Sequence, residues 1–324
     1  MSIDVLYDTI QEDLKRVDRC IQEELSADEP FLADLIRHAG QFHGKRLRPA
    51  LLLHSARLCG EVRDVHYRLA AIVEMIHNAT LVHDDILDSA RLRRQVETMN
   101  TRWDTEAAVL FGDYLFARSF QMCAEIDRPD AIRLLARATH EMCAGELAQV
   151  GTKFNLDLDE EGYFDIIRRK TAVLFAAACE LGTVDNPGSE RHLPALREFG
   201  LHLGTAFQVV DDYLDIAGSE REMGKSLGTD IGQGKLTLPV IHLLRTIPPG
   251  EGRELRGWLC ADAPAAEKKQ RVWRLLTEKR LADYARARAM EIAEAAKRAL
   301  APFGDSPDAA SLRLLADYIL RRRN

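Results

Sequence analysis

Apolar residues recur every three or four positions along most of this chain, and the strict alternation typical of a β-strand is rare. Two long segments with helical spacing, residues 68–88 and 196–218, are rich in good helix formers. Both are apolar around much of their predicted circumference, which is typical of helices wrapped by others at the centre of a bundle. The pattern therefore predicts an all-α protein with these two helices in its middle.

Clusters of helix-breaking residues interrupt this pattern. They lie at residues 44–49, 128–130, 183–194, 218–234 and 248–250. No linker-like tract of proline, glycine and serine divides the chain. We therefore predict a single helical-bundle domain over residues 1–324.

The composition excludes several classes of protein. The 324 residues are 46% apolar and 29% charged, which is enough for a sizeable core. A formal net charge of −7 argues against a general affinity for nucleic acid. The six cysteines are scattered without a Cys-x-x-Cys pair, and no signal peptide is recognisable, which favours a reducing cytoplasm. The longest apolar run, residues 172–179, is too short to cross a bilayer, so no stable membrane insertion is expected.

Each of the two central segments contains the sequence pattern Asp-Asp-x-x-Asp. On a helix with about 100° per residue, Asp84, Asp88 and Asp85 lie near 0°, 40° and 100°, which predicts that all three share a single narrow face. His77 falls at about 20°, on the same stripe. In the second segment a matching arc is formed by Gln208, Asp211, Asp212 and Asp215. We call Asp84, Asp85 and Asp88 the first motif, and Asp211, Asp212 and Asp215 the second motif.

Such concentrations of like charge are unfavourable on apolar helices. Like charges four residues apart destabilise a helix by a few tenths of a kcal/mol, and unpaired buried carboxylates cost more. A divalent cation removes the conflict. Hard oxygen ligands suit Mg²⁺, which typically bridges a few carboxylates to the phosphates of a substrate. The two motifs therefore predict a magnesium site.

Four basic clusters accompany the acidic ones. They are GKRLRP (44–49), RLRRQ (91–95), RRKT (168–171), and Lys225 with Lys235 in a glycine-rich segment. Arginine forks clamp phosphate oxygens at two points, and lysine supplies a compact charge. Together with the magnesium-type motifs, they predict a diphosphate held between metal ions and cations.

Two other interpretations fit the sequence poorly. Residues Glu74 to His77, EMIH, match half of a di-iron site, but no second Glu-x-x-His occurs. A nucleotide-binding P-loop would need glycine where Ser219 stands, and Lys235 is followed by Leu236 instead of serine or threonine. Neither site is expected.

The chain resembles the trans-isoprenyl diphosphate synthases, or polyprenyl synthetases, from about Gly44 to Pro239. The resemblance is carried by GKRLRP, HDDILD, LRR, KT, FQVVDDYLD, GK and GKLTLP, which stand in the order typical of that family. The sequence departs from the family where Gln95 replaces the usual glycine after Arg94, and where VET replaces KPT. Both arginines of the cluster remain. The resemblance implies the isoprenoid synthase fold, a helical bundle around a central apolar cavity, and a cytoplasmic homodimer.

The resemblance also implies roles for individual residues. Isopentenyl diphosphate would be held by Lys45, Arg48, His77 and Arg94. The diphosphate of the allylic substrate would be held by Arg93, Lys170, Lys225 and Lys235. Three Mg²⁺ ions are expected, two on Asp84 and Asp88 with support from Asp85, and one on Asp211 with help from Asp212 and Asp215. Thr171 and Gln208 would face the reacting carbons, and the C-terminal residues 321–324 would either cover isopentenyl diphosphate or form a frayed basic tail.

The implied reaction is head-to-tail transfer of a prenyl group from farnesyl or geranylgeranyl diphosphate to isopentenyl diphosphate. The product length is expected to depend on residues upstream of Asp84, because the growing tail would run along that helix. Aromatic residues four or five positions before the first aspartate give short products in the family, but here those positions are Thr80 and Ala79. Because the tail would pass these small side chains along the helix, the resemblance implies a long all-trans product of roughly seven to nine isoprene units, C35–C45. Phe116, on the next helix, is a candidate for the tunnel floor, together with Phe120 and Met122.

Three alternatives remain at this stage. A short-chain farnesyl or geranylgeranyl diphosphate synthase would share every motif. A class I terpene cyclase would share the fold, but it normally has one aspartate-rich motif and needs no isopentenyl site. A subunit of a heteromeric synthase would tend to lose the aspartates, and all six are present.

Overall fold

The computed structural model describes residues 7–42, 44–218, 228–261 and 263–322. The helices are α1 (Gln11–Glu24), α2 (Pro30–Ala39), α3 (Leu47–Cys59), α4 (Asp64–Leu87), α5 (Met99–Arg102), α6 (Thr105–Glu125), α7 (Pro129–Gly151), α8 (Glu160–Ile167), α9 (Val173–Leu181), α10 (Leu193–Ala217), α11 (Thr229–Gly232), α12 (Leu238–Thr246), α13 (Pro249–Cys260), α14 (Ala265–Glu278), α15 (Tyr284–Ala299) and α16 (Pro307–Arg321). One π-helical turn, Arg168–Ala172, joins α8 to α9, and short 3₁₀ turns occupy Ser189–His192 and Ala301–Phe303. The predicted all-α class is confirmed.

A two-stranded hairpin follows the first motif. Strands β1 (Leu92–Arg93) and β2 (Val96–Glu97) pair antiparallel, with Arg93 opposite Val96. The turn residues Arg94 and Gln95 both have positive φ, at 51° and 67°. Positive φ at both turn positions is the requirement of a type I′ turn, which suits the twist of a hairpin. The hairpin presents the predicted RLRRQ cluster beside the first motif.

The two long predicted helices are α4 and α10, and both lie inside the bundle. Helix α4 packs most extensively on α6, and α10 packs on α9 and α15. Helix α9 contacts both α4 and α10, so it lies between the helices that carry the two motifs. Large side chains such as Phe111, Phe175 and Phe199 fill the surrounding core. The motif helices are therefore held by their neighbours on either side of a gap.

Glycines allow one of these contacts to be unusually close. A Cβ atom on Gly200 would lie 2.5 Å from the Cα of Ala176, and one on Gly204 would lie 2.6 Å from the Cα of Ala172. Real Cβ atoms do not approach other carbons so closely, so α10 can meet the π turn and α9 only through glycine. This contact sets the π turn directly beside the second motif.

The breaker clusters mark the starts of helices more often than loops. Pro49 lies within the first turn of α3, while Pro129 and Pro249 each begin a helix, α7 and α13. Proline is tolerated in the first turn because the N–H it lacks would have no partner within the helix. Residues 219–227, which include the predicted Lys225, lie outside the described residues. Among the described residues, no helix is long and apolar enough to span a membrane.

Candidate active site

A cavity of about 300 Å³ lies between the C-terminal parts of α4 and α10. Most of the predicted site residues line it: Arg48, His77, Thr80, Asp84, Asp88, Arg93, Lys170, Thr171, Gln208, Asp211, Asp212, Asp215 and Lys235. Four others do not: Lys45, Ala79, Asp85 and Arg94. The two motifs, which lie far apart in sequence, therefore share one cavity.

Asp84 faces a lysine from the π turn. The Nζ of Lys170 lies 3.6 Å from Oδ1 of Asp84, 2.5 Å from Oε2 of Glu146 and 2.9 Å from Oε1 of Gln149. Burial raises the pKa of Asp84, and Lys170 partly offsets that rise. Burial would lower the pKa of Lys170, but Asp84 and Glu146 raise it overall. Lys170 is therefore a charged ammonium that compensates two carboxylates.

Asp88 is paired with the predicted lysine after α11. The Nζ of Lys235 donates to Oδ1 of Asp88 at 2.6 Å and lies 3.7 Å from Oδ1 of Asp230. Although burial opposes it, Asp230 and Asp88 raise the pKa of Lys235. The side-chain amide of Gln233 also donates to the backbone carbonyl of Asp88, at 2.9 Å. These bonds attach the end of α4 to the segment around α11.

Asp85 points to the hairpin and not into the cavity. Its carboxylate accepts three hydrogen bonds from Arg93: two from Nε, at 2.9 and 3.0 Å, and one from Nη2 at 2.8 Å. Such a two-point pair fixes the plane of a guanidinium. Asp85 therefore orients Arg93, whose side chain lines the cavity, which agrees with its predicted supporting position.

Helix α6 fixes the start of the first motif from the other side. His83 precedes Asp84, and its ring lies against Gly112, where an added Cβ would lie 2.2 Å from Nε2. His83 Nε2 also lies 3.2 Å from the carbonyl oxygen of Val109. Any larger residue at position 112 would displace this ring.

Neutral hydrogen-bond donors surround Asp212 in the second motif. Tyr163, from α8, donates its hydroxyl to Oδ2 of Asp212 at 2.7 Å, and Gln208 donates its amide to Oδ1 at 2.7 Å. The hydroxyl of Thr171 donates to Oε1 of Gln208 at 2.8 Å. Burial, with Asp230 nearby, raises the pKa of Asp212 to about 7, although Tyr163 and Gln208 oppose the shift. A continuous chain of hydrogen bonds thus runs from α8 to the predicted reacting position at Thr171.

The C-terminal segment reaches the second motif. Nη2 of Arg322 lies 3.4 Å from Oδ1 of Asp211, and its guanidinium lies 4.3 Å from the centre of the Phe207 ring. The side chain of Arg322 is largely buried. Of the four predicted tail residues, Arg323 and Asn324 lie outside the described residues. Arg322 itself belongs to the site.

A group of cations lies at the α3 end of the cavity. Arg48 is buried over the Phe175 ring, at 4.5 Å from its centre, and burial lowers the pKa of Arg48 to about 10. Burial, followed by Arg48 and other arginines, lowers the pKa of His77 well below its ordinary value. His77 is therefore neutral and can act as a hydrogen-bond partner. Lys45 and Arg94 lie on the loop and the hairpin behind these two, with Nη1 of Arg94 bonded to the carbonyl of Phe42 at 3.1 Å.

Part of the cavity wall is apolar. It includes Leu81, Phe116, Met142, Leu174 and Phe207. Thr80 borders this wall, but Ala79 is fully buried in the core and does not reach the cavity. Of the three candidates for the tunnel floor, Phe116 lines the cavity, whereas Phe120 and Met122 do not.

Several lining residues were not predicted from the sequence. They include four polar residues, Tyr163, Glu146, Gln149 and Asp230. Tyr163 stands seven residues before Lys170, which is a helical spacing, so the periodicity could have drawn attention to it. Glu146 and Gln149 lie on α7, which carries no motif, and only the contact between helices reveals them.

The donor set suits a hard divalent cation. Carboxylate oxygens from both motifs line the cavity, and hard oxygen ligands of this kind are the ones that Mg²⁺ prefers. Within the described residues, no three side chains of histidine, cysteine, aspartate or glutamate converge closely enough to hold an ion by themselves. The residues therefore fit an ion whose remaining ligands are water or phosphate oxygens, which is the usual coordination of Mg²⁺.

Comparisons with known proteins agree with this description. Residues 29–276 match the polyprenyl synthetase family model. The chain is 36% identical over 304 residues to an all-trans-nonaprenyl-diphosphate synthase (geranyl-diphosphate specific) of Rhodobacter capsulatus, covering 93% of each chain. It is 37% identical over 246 residues to heptaprenyl diphosphate synthase component 2 of Bacillus subtilis (strain 168), covering 76% of this chain and 70% of the relative. A crystal structure of a polyprenyl synthase from Caulobacter crescentus CB15, complexed with calcium and isoprenyl diphosphate, superposes with a TM-score of 0.93 at 36% identity, covering 100% of this chain and 98% of that one.

The fold and the site define a prenyltransferase of the isoprenoid synthase fold. More narrowly, the chain belongs to the polyprenyl synthetase family. The predicted family and the predicted enzyme class are confirmed.

Proposed function

We propose that this enzyme condenses isopentenyl diphosphate head-to-tail with an allylic diphosphate, using Mg²⁺, and releases a long-chain all-trans polyprenyl diphosphate. The observation that carries the proposal is the single cavity that is lined by both acidic motifs, by several cations and by apolar side chains. A substrate with a charged head group and a hydrocarbon tail needs both kinds of lining. The neighbour from Caulobacter crescentus, which was crystallised with calcium and isoprenyl diphosphate, supports the same kind of ligand.

The charged end would stabilise the leaving group. Breaking the allylic C–O bond leaves a carbocation and a diphosphate that gains negative charge. Lys170, Lys235 and Arg93 are positioned cations around the cavity, and fixed charges of this kind favour a transition state in which charge develops. Asp84, Asp88, Asp211 and Asp215 would hold Mg²⁺, which supplies Lewis-acid neutralisation of the diphosphate when bound. We expect three ions.

The second substrate would lie between Arg48 and His77, with Lys45 and Arg94 behind them. Its double bond would then approach the cation near Thr171 and Gln208. Holding both substrates in this orientation makes the attack effectively intramolecular. The apolar wall excludes water, which would otherwise capture the carbocation. Because His77 is held neutral by burial and by the arginines around it, we assign it to substrate binding and not to proton transfer.

We propose a product of roughly seven to nine isoprene units, because α4 contributes no phenylalanine, tyrosine or tryptophan to the cavity wall along which the tail would run. Thr80 is the residue of α4 that borders the apolar wall directly above Asp84. The nonaprenyl and heptaprenyl relatives have products of the same range by name.

We also propose that the enzyme is a homodimer in a reducing cytoplasm. Large apolar side chains are exposed on α6 and α7, with Leu110 60% and Leu147 72% exposed. Exposed apolar patches often mark protein–protein interfaces, so we assign the dimer contact to these two helices. All six cysteines are free, which agrees with a reducing compartment.

An elongation assay tests the proposal. Purified protein is incubated with Mg²⁺, isopentenyl diphosphate and either geranyl, farnesyl or geranylgeranyl diphosphate, and the products are separated by chain length. We expect chains longer than C30 in the wild type and shorter chains in Thr80→Phe, since the new ring would block the cavity. Thr80→Val, which loses the hydroxyl bond to the His77 carbonyl without adding bulk, is the control and should keep the long product.

The other outcomes identify the alternatives. A wild-type limit of C15 or C20 would indicate a short-chain synthase, and a cyclic hydrocarbon would indicate a terpene cyclase. The Bacillus subtilis relative is named as one component of a synthase. Turnover only after addition of a partner protein would assign this chain to that class.

A further inference from the structure

Glu74 is a buried carboxylate next to the site that no step of the proposed reaction uses. It begins the EMIH segment on α4, one helical turn before His77, and its side chain is 4% exposed. A buried carboxylate is unfavourable unless it is paired. Its position beneath the cations at the α3 end of the cavity therefore requires an explanation.

The direct partner of Glu74 is Arg46, in the loop before α3. Nη1 of Arg46 lies 2.9 Å from Oε1 of Glu74, and its Nε lies 2.9 Å from Oδ1 of Asp18 on α1. Arg46 has a φ of 48°, in the left-handed region that is unfavourable for an arginine. The two carboxylates therefore hold Arg46 in a conformation that it would not adopt alone.

That conformation sets the direction of the residues on either side. Lys45 precedes Arg46 in the loop, and Arg48 lies in the first turn of α3. The Tyr7 hydroxyl donates to the carbonyl of Lys45 at 2.5 Å, so the loop is held from a second side. A change at Arg46 would move Lys45 and Arg48 relative to each other.

Glu74 also acts on the neighbouring arginines through its charge. It raises the pKa of Arg48 against the larger effect of burial, and it does the same for Arg94. A Cβ atom on Gly44 would lie 3.1 Å from Nη1 of Arg94 and 3.6 Å from Oε1 of Glu74, so both charged groups lie close to this glycine. Without a central anion, Arg46, Arg48 and Arg94 would repel one another.

We propose that Glu74 is a positioning residue of the isopentenyl diphosphate subsite, which it keeps assembled by holding Arg46 and balancing the arginines around it. The inference rests on the proposed function, because that function assigns the subsite to Lys45, Arg48, His77 and Arg94. A fixed anion also weakens the attraction for a diphosphate. Here the ordering effect dominates, because the loop at 44–46 lies outside any helix and depends on these ion pairs for its conformation.

The main test is Glu74→Gln, which removes the charge while keeping the size and one oxygen atom. Since bonds to charged groups are among the stronger hydrogen bonds, we expect isopentenyl diphosphate to bind about tenfold more weakly by calorimetry. Its KM should rise by a similar factor, whereas kcat and the KM of the allylic diphosphate should stay within about twofold. Asp18→Asn, at the half-exposed end of the bridge, should give a smaller change in the same constants.

The matched control is Glu180→Gln. Glu180 is also a buried glutamate paired with an arginine, Arg137, at 3.1 Å, but it does not line the cavity. This variant should leave the binding of isopentenyl diphosphate unchanged. The melting temperature of each variant is measured alongside, so that a loss of folding is recognised.

The outcomes separate this inference from the proposed function. If wild-type protein neither binds isopentenyl diphosphate nor elongates an allylic primer, the proposed function is wrong. If the wild type does both and Glu74→Gln binds as tightly, the inference is wrong. Equal weakening of both substrates would also overturn it, since Glu74 would then support the whole cavity. Should Glu74→Gln fail to fold, unchanged binding in Asp18→Asn would count against the inference.

Discussion

The two motifs have the same sequence pattern, but different kinds of side chain surround them in the fold. Each aspartate of the first motif faces a cation from another part of the chain: Lys170 at 3.6 Å from Asp84, Arg93 at 2.8 Å from Asp85, and Lys235 at 2.6 Å from Asp88. In the second motif, Asp212 accepts hydrogen bonds from two neutral groups, Tyr163 and Gln208. Arg322 of the C-terminal segment approaches Asp211.

This difference indicates a division of labour. Cations beside the first motif can stabilise a diphosphate as its negative charge develops, because they are buried and already oriented. Neutral donors at the second motif fix the geometry of Asp212 and Gln208 without placing a positive charge beside the carboxyl group. We therefore expect substitutions at the first motif to act mainly on the rate, and those around Asp212 to act partly on stability.

The largest effect is expected for Asp84→Ala. It removes a predicted metal ligand and leaves Lys170 with one compensating carboxylate fewer. We expect turnover to fall by about 10³-fold, since the loss of one preorganised electrostatic group commonly costs 10²–10³. Helical circular dichroism should be unchanged. Asp157→Ala, at an exposed ion pair with Arg256, is the control, and turnover within tenfold of wild type in Asp84→Ala would remove this residue from the mechanism.

Lys235→Met tests the cationic side of the comparison. The ammonium lies between Asp88 and Asp230, and the long apolar replacement keeps most of the side-chain volume. We expect kcat/KM for the allylic diphosphate to fall by about 10²-fold, because a buried charge opposite the leaving group is lost. Steady-state kinetics with the allylic diphosphate varied at saturating isopentenyl diphosphate measures this kcat/KM.

Lys279→Met is the corresponding surface control, since Lys279 pairs with Glu251 at 2.6 Å near the surface. It should not alter the kinetics. Unchanged kcat/KM in Lys235→Met would mean that Lys235 serves only to attach α4 to the segment around α11.

Tyr163→Phe tests the neutral side of the comparison. The variant leaves buried Asp212 with one hydrogen-bond donor fewer. We expect the free energy of unfolding to fall by about 1–3 kcal/mol, the usual cost of an unsatisfied buried group. The kcat should fall only about tenfold, because Gln208 still holds the other oxygen atom of Asp212. Urea unfolding and steady-state kinetics measure the two effects.

Tyr284→Phe is a matched control. Tyr284 also donates its hydroxyl to a carboxylate, Glu160, at 2.7 Å, but this pair is only partly buried and lies outside the cavity. It should lose less stability and no activity. A loss of activity in Tyr163→Phe as large as that in Asp84→Ala would contradict the proposed division of labour.

Much of this arrangement could be predicted because it depends on local periodicity. The helical spacing of α4 places His77, Thr80, Asp84 and Asp88 on one stripe, and all four line the cavity. The same geometry wrongly placed Asp85 on this face, because its carboxylate is paired with Arg93 of the hairpin and does not line the cavity. The family resemblance, and not the spacing, suggested Ala79 as a cavity residue, and its side chain lies in the core.

The partners that distinguish the two motifs could not be predicted in the same way. Tyr163 lies 49 residues before Asp212, and Lys235 lies 147 residues after Asp88. Glu146 reaches Lys170 because α7 crosses the π turn at Gly145. A Cβ atom added to Gly145 would lie 2.5 Å from the backbone nitrogen of Lys170. Such contacts depend on how the helices cross, and no local pattern of residues encodes that.

The smallest effect is expected at the hairpin that supplies Arg93 to the first motif. Gln95 has a φ of 67°, in the region that glycine adopts without steric cost. Gln95→Gly relieves this strain but gains flexibility in the unfolded chain, and the two effects partly cancel. We expect a net stabilisation of about 0.5 kcal/mol, measured as a rise in melting temperature of about 1–2 °C.

The activity of Gln95→Gly should stay within about twofold of wild type, because the three bonds to Asp85 already fix Arg93. Gln95→Asn should give a smaller rise in melting temperature, since asparagine tolerates positive φ better than glutamine does. Gln95→Val should lower it, because a β-branched residue is strained there. If Gln95→Gly instead reduced turnover by tenfold, the turn would be holding Arg93 in place. The cation of the first motif would then depend on backbone strain in the hairpin as well as on its partner carboxylate.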